Sequence, residues 1–214
     1  ILSTTELQKV PDTIVSRCQV FNFKKPTDVI LKDMILETAK KEGFKMDASS
    51  AELISILGDG SYRDTLGALQ KVLNFSESKN IKREDIENIT GAPKTTLVND
   101  FISAIAEKDL ESGIVTVRNA SKENLDMKLF AKLIIQKFRM AIILKYAPKL
   151  EAEMSANLSP EDITFLKELS KKDKEGMMRS PSFSILLEAY QNIDKSFVSE
   201  LPLELALIKI LTKE

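Results

Sequence analysis

The sequence has no histidine, no tryptophan and a single cysteine among its 214 residues. Zinc sites built by proteins draw on several Cys and His ligands, so this composition argues against a metal site. One thiol also cannot build a disulfide framework, and Cys18 has no imidazole in the chain to activate it as a nucleophile. We therefore predict no metal ligands and assign no catalysis to Cys18, and the free thiol suggests a reducing compartment.

Long apolar runs are missing as well. The chain has no stretch of 18 apolar residues that could span a bilayer. Its N-terminal residues also lack the charged segment followed by an apolar run that is typical of a secretory signal peptide. Its composition, 43% hydrophobic and 29% charged, is ordinary for a globular protein that buries a core. We expect a soluble cytoplasmic protein that is not exported and has no membrane contact.

The sequence also lacks an excess of positive charge. The net charge is -1, and residues 93–214 carry 18 basic and 18 acidic side chains. Strong autonomous DNA binding needs a concentrated positive surface, because neutralising phosphates supplies most of the non-specific affinity. The sequence is therefore not expected to bind DNA strongly by itself.

The periodicity predicts a mainly α-helical protein with a remnant of a sheet at its N-terminus. Residues 1–5 are predicted to begin a strand, and Gln19–Phe23 alternates as a half-buried strand would. From Pro26 onward the apolar spacing and the capping residues are helical. Gly91-Ala92-Pro93 is the best candidate for a hinge, since Pro93 cannot continue the preceding helix.

Ten helices are predicted from apolar residues at helical spacing and from their terminal signals. They cover 28–42, a segment after Asp47 that ends at Gly58, a segment that begins at Ser61, 83–89, 95–107, 110–119, 125–147, 160–172, 179–194 and 201–213. Residues 148–159 and 170–176 are predicted to be loops or frayed helix ends.

Several short motifs occur in a fixed order. The chain opens with Ile1-Leu2-Ser3-Thr4-Thr5-Glu6, continues with Gln8-Lys9-Val10-Pro11 and then with Ser16-Arg17-Cys18. Gly60-Ser61-Tyr62-Arg63-Asp64 follows, and Leu201-Pro202-Leu203-Glu204 lies near the C-terminus. In this order the motifs resemble the gamma/tau subunits of bacterial DNA polymerase III, which are clamp-loader ATPases of the AAA+ class. Ser3 replaces the usual alanine of that pattern.

The resemblance implies three regions. Residues 1–27 would be the C-terminal remnant of an AAA+ ATPase domain, residues 28–92 a small helical lid, and residues 93–214 an all-α collar that mediates oligomerisation. The family associates through its collar, so the implied partners are other clamp-loader subunits. The intact complex would also engage the sliding clamp and primed DNA.

A nucleotide-binding loop is not found in this sequence. None of the seven glycines forms the Gly-x-x-x-x-Gly-Lys-Ser/Thr pattern that wraps backbone N–H groups around phosphates. The apolar run that ends in Asp-Glu and holds magnesium in the family is also missing, as is the family's zinc module. The resemblance therefore implies that the chain is a C-terminal fragment of a longer parent protein. ATP and Mg²⁺ are expected in that intact protein and not on this fragment, which should not hydrolyse ATP by itself.

The resemblance assigns roles to two arginines. Arg17 would act as an arginine finger in trans, directed at a nucleotide held by a neighbouring subunit; the alternative is a local pair with a carboxylate such as Asp12. Arg63 would read the nucleotide's phosphates in cis, the sensor-2 role. The alternative for Arg63 is neutralisation by Asp64 or Glu52.

The family also implies that Thr5, or Thr4 in its place, is the sensor-1 residue at the end of its strand. Without the resemblance, two threonines in a strand would reflect strand propensity and nothing more. This assignment depends wholly on the family.

Residues 125–147 and 201–211 are more apolar than one buried stripe requires. We predict that both contribute to the core and to an oligomer interface.

Two other interpretations of the whole chain stay open. It could be a helical oligomerisation scaffold that never had an ATPase half, or the small subunit of another AAA+ clamp loader.

Overall fold

The computed structural model describes residues 1–150 and 158–212. Its N-terminal part has a 3-10 turn at Leu7–Lys9 and one short helix, α1 (Asp12–Val15). The strands predicted at 1–5 and 19–23 are wrong, because neither segment forms one. A strand needs a neighbour to bond its backbone groups, and among the described residues no other strand lies beside these segments.

Four helices follow and pack against one another as the first bundle: α2 (Asp28–Lys41), α3 (Ala48–Leu57), α4 (Tyr62–Phe75) and α5 (Arg83–Thr90). The predicted starts are confirmed by side-chain caps: Thr27, Asp47 and Ser61 each accept a hydrogen bond from a backbone N–H three residues later. Two short strands, β1 (Lys45–Met46) and β2 (Asn80–Ile81), pair in parallel and close this bundle.

Among the described residues, the second bundle consists of six helices: α6 (Thr95–Glu107), α7 (Leu110–Lys122), α8 (Met127–Tyr146), α9 (Pro160–Lys172), α10 (Ser180–Asn192) and α11 (Leu201–Leu211). The predicted helices agree with these to within a few residues. The predicted loop at 148–159 begins with a 3-10 turn at Pro148–Leu150, and its residues 151–157 lie outside the described residues. The segment at 170–176 is helical as far as Lys172.

Helix α8 lies at the centre of the second bundle. It contacts α6, α7, α9 and α10, and only Arg139 and Tyr146 of its twenty residues are exposed. Its Phe130 meets Phe101 of α6 edge-on, with the ring centroids 6.1 Å apart, and Phe138 stacks on Phe183 of α10. The apolar excess predicted for this segment is therefore used by the core. No helix among the described residues is both long and apolar enough to cross a membrane.

The turn between α9 and α10 is organised by one buried carboxylate. Asp173, whose side chain is fully covered, accepts hydrogen bonds from the backbone N–H groups of Met177 and Met178 at 2.7 and 3.1 Å. Lys145 of α8 completes the arrangement with an ion pair of 2.6 Å. Because a buried carboxylate is costly unless it is paired and hydrogen-bonded, these three donors allow Asp173 to be buried.

We expect Asp173→Ala to lower the free energy of unfolding by about 3 kcal/mol, since it leaves two buried N–H groups and the Lys145 ammonium without their acceptor. Urea denaturation followed by circular dichroism measures the change. The matched control is Asp194→Ala, which breaks an ion pair to Lys128 in which the aspartate is mostly exposed. It should change stability little, because exposed pairs are screened by water. Equal losses for the two variants would contradict this role of Asp173.

Candidate functional site

Arg17 lies in the turn that follows α1 and is exposed. Its Nη1 donates a hydrogen bond of 2.6 Å to the carbonyl oxygen of Thr13, one helical turn earlier. Within the described residues no ion pair joins Arg17 to a carboxylate, so the alternative partner Asp12 is not used. The side chain is thus attached to its own turn through one nitrogen.

Arg63 lies in the first turn of α4, directly after the Ser61 cap, and is also exposed. Neither expected neutralising partner, Asp64 or Glu52, forms an ion pair with it in the part of the chain that is described. Glu52 pairs with Lys32 instead, at 3.4 Å. The partial positive charge of a helix N-terminus makes an unpaired cation there mildly unfavourable, and an anion nearby would remove that cost.

The turn before Arg63 is tightly constrained. A Cβ atom on Gly58 would lie 1.9 Å from Oγ1 and 2.6 Å from Cα of Thr65, so only glycine fits at that position. Gly60 has a φ of +75°, in the left-handed region that favours glycine. The backbone turn that precedes Arg63 is therefore held by close packing and by a glycine in the left-handed region.

Thr4 and Thr5 are exposed and lie outside any strand. The hydroxyl of Thr4 accepts a hydrogen bond of 3.0 Å from the backbone N–H of Glu6. No hydrogen bond or ion pair among the described residues brings these threonines or Arg17 to Arg63. The sensor and finger roles of these four residues stay predictions.

Sequence reasoning missed a polar cluster between the two bundles. Arg83 of α5 donates to the carbonyl oxygen and hydroxyl of Ser49, both at 3.1 Å, and to the Thr95 hydroxyl at 2.8 Å. Glu87, which is buried, accepts from the backbone N–H and the hydroxyl of Thr95 at 3.0 and 2.7 Å. Lys94, the residue at the N-cap position of α6, provides no side-chain hydrogen bond to the helix. Glu87 of α5 takes over this capping role by accepting the Thr95 N–H across the segment 91–94.

A second part of the cluster surrounds a cavity of about 30 Å³ that residues of both bundles line. On one side Glu52 is paired with Lys32; on the other, Lys137 of α8 is paired with Asp162 of α9, whose carboxylate also accepts from the Ser159 hydroxyl. A sequence signal was available, because Glu52 is the only charged residue in α3 and such a residue in an apolar helix needs a partner.

The pKa values of the two carboxyl groups beside the cavity, Glu52 and Asp162, are shifted in opposite directions. Burial raises the pKa of Glu52 above its ordinary value, against the attraction of Lys32 and Arg83. Burial also acts to raise the pKa of Asp162, but Lys137 and the Ser159 hydroxyl outweigh it and hold that pKa below its ordinary value. Relative to the unfolded chain, folding thus disfavours the ionisation of Glu52 and favours the ionisation of Asp162.

An apolar surface extends over the end of the second bundle. Leu201, Leu205 and Ile208 lie on one face of α11 by their spacing, and each is 38–48% exposed. Phe197, shortly before α11, is fully exposed. Between α10 and α11 lies a groove of about 300 Å³. The opposite face of α11 is buried in the core through residues such as Leu203, Leu207 and Ile210. Helix α11 is thus apolar on both faces, and only one of them is covered.

The family model described as domain III of the DNA polymerase III subunits gamma and tau matches residues 81–214, more than half of the chain. Among curated proteins, the DNA polymerase III subunit gamma/tau of Mycoplasma pneumoniae is 33% identical over 132 residues, which are 62% of this chain and 19% of the relative. The subunit tau of Bacillus subtilis is 31% identical over 151 residues, or 71% of this chain and 27% of the relative. The chain therefore spans about a quarter or less of the length of these relatives.

Among solved structures, the Bacillus subtilis DNA clamp loader delta protein aligns with 99% of this chain and 64% of its own, at 16% identity and a TM-score of 0.46.

The opposite pKa shifts predict opposite effects of two amide substitutions on stability at acid pH. Ionised Asp162 contributes stability above its unfolded pKa of about 3.9, and this contribution is lost as the pH falls through its lower folded pKa. Glu52 does the reverse: its ionisation costs stability as the pH rises from about 4.3 through its raised folded pKa. Asp162→Asn should therefore reduce the loss of stability on acidification, and Glu52→Gln should increase it.

Urea denaturation at a series of pH values, from neutral to below the ordinary carboxyl range, measures both effects. The control is Asp33→Asn on the exposed face of α2, which should leave the pH profile unchanged. Parallel profiles for the Asp162 and Glu52 variants would contradict the assignment.

Proposed function

The chain belongs to the family of the DNA polymerase III gamma and tau subunits, and we propose that it is the lid and collar part of a clamp-loader subunit that uses ATP to place a sliding clamp on primed DNA. The proposal rests chiefly on the match to domain III over residues 81–214. We further propose that the division follows the predicted regions, with residues 1–27 as the end of the ATPase domain, 28–92 as the lid and 93–214 as the collar. The cellular location in this proposal is the bacterial cytoplasm.

The collar assignment is supported by the uncovered face of α11. Three aliphatic side chains at helical spacing and an adjacent exposed Phe197 form an apolar surface in a protein that already has a continuous core. Exposed apolar surfaces of this kind mark sites of protein association. In our proposal this surface contacts the collars of the other clamp-loader subunits.

The two arginines fit the proposed roles because each is exposed and has no carboxylate partner in the described residues. Arg63 projects from a fixed turn at a helix N-terminus, where an anion is favoured. Arg17 lies far from it in sequence, on a separate turn. In the intact subunit, Arg63 would bind the phosphates of its own nucleotide, with Thr5 or Thr4 at the terminal phosphate, and Arg17 would stabilise charge on the nucleotide of a neighbour. ATP and Mg²⁺ would supply the phosphoryl-transfer chemistry of the complex.

Association with the other clamp-loader subunits tests the collar assignment. We expect the chain to form a complex with them at micromolar concentration in size-exclusion chromatography with light scattering. Leu205→Glu should weaken the complex by at least about tenfold, because it places a charge in the apolar contact.

The matched control is Phe75→Glu, which introduces the same charge at an exposed apolar residue of the first bundle. It should leave the complex intact. No complex with the unsubstituted chain would exclude the collar role, and equal weakening by both variants would exclude α11 as the contact.

The finger role of Arg17 predicts a rate effect in the whole protein. Arg17→Lys keeps the charge but removes the planar fork of donors, so the ATPase rate of the assembled clamp loader should fall by about 10³-fold while the complex still forms. A coupled ATPase assay measures the rate. A rate unchanged from that of the unsubstituted complex would reject the role.

A further inference from the structure

The junction between the two bundles is held by polar contacts that play no part in the proposed function. Gly91-Ala92-Pro93 joins α5 to α6, and its composition predicts a hinge. In the structure Ala92 and Pro93 are buried, and the residues on both sides of the linker are bonded to each other. A linker with these contacts cannot rotate without breaking them.

The first contact runs directly across the linker. The Glu87 carboxylate binds both polar groups of Thr95, the first residue of α6, while Arg83 holds the same hydroxyl and lies 3.4 Å from Glu87. Arg83 also bonds Ser49 of α3, so the contact reaches a third helix. All of these groups are buried or half-buried, where breaking a hydrogen bond leaves an unsatisfied partner.

The second contact lies elsewhere on the interface. Lys132 of α8 donates to the carbonyl oxygen of Ile56 at 3.1 Å, in a half-buried position near the C-terminal end of α3. It also donates to the carboxylate of Asp59, just after α3, at 2.5 Å. Because Asp59 is mostly exposed, the bond to Ile56 provides the stronger part of this contact. The ion pair with Lys132 also lowers the pKa of Asp59. A single contact beside the linker would still permit rotation about it, but a second one away from the linker opposes that rotation.

From these two contacts we propose that the junction is a lock: Glu87 and Lys132 hold the two bundles at one fixed angle, so that they move as a single body. The Gly91-Ala92-Pro93 linker then serves as a rigid corner. The lock is a property of the chain itself and does not depend on nucleotide binding or on any partner.

Distances between spin labels on the full 214-residue chain test the lock. Cys18 is first replaced by serine, and cysteines at two exposed positions, Gln70 on α4 and Asn119 on α7, carry the labels. Double electron–electron resonance should give one narrow distance distribution. Combining Glu87→Ala with Lys132→Met should broaden the distribution about two-fold, because domains without a strong interface move relative to one another.

The control variant carries the same two kinds of substitution, Glu to Ala and Lys to Met, on the same two helices, α5 and α8. Glu84→Ala with Lys128→Met removes an exposed carboxylate of α5 and a lysine that pairs with Asp194 inside the second bundle. This variant should keep the narrow distribution. Glu87→Gln, which retains an oxygen that can accept both bonds from Thr95, should also keep it.

Circular dichroism establishes that each variant retains its helices. If the double variant at the junction loses helix content, Glu87→Met combined with Lys132→Met replaces it, since methionine removes the acceptor of both Thr95 bonds and is a good helix former of similar length. A broad distribution in the unsubstituted chain would overturn the proposal. So would an unchanged width in a folded variant that lacks both contacts.

Discussion

The second bundle depends on one constraint: α8 is covered by its neighbours along almost its whole length and still carries four lysines. A covered cation must be paired or must reach water. Each of the four meets an aspartate on a different part of the chain. The pairs are Lys128 with Asp194, Lys132 with Asp59, Lys137 with Asp162 and Lys145 with Asp173. Apolar packing holds α8 in the centre, and these pairs specify which segment lies against each turn.

The pairs differ in what they contribute. Around Asp173 the carboxylate is fully covered and fixes the backbone of a turn, so its pair is a condition for that turn. Lys128 and Asp194 meet near the surface, where water weakens the attraction. Lys132 reaches out of its own bundle to the end of α3. A single helix thus connects an internal turn, the bundle surface and the neighbouring bundle by the same chemistry.

Much of the helical structure could be predicted because its signals are local. The helices predicted to start at residue 28, after Asp47 and at Ser61 are capped by Thr27, Asp47 and Ser61, and α6 and α9 have the predicted bounds. The two N-terminal strands were wrong because strand formation depends on a partner that alternation alone cannot reveal. The junction was missed for a similar reason: Arg83 and Glu87 look like an ordinary pair along one helix, and only the fold brings Thr95 and Ser49 to them. For Arg17 and Arg63, exposure and the absence of a carboxylate partner among the described residues agree with the expected roles without testing them.

Cys18 is the only thiol in the sequence, and it is exposed directly beside Arg17. A thiol-reactive fluorophore would therefore attach at one known position without any engineered residue. Since the probe would lie next to the turn that holds Arg17, its emission would report on whether another protein approaches that turn.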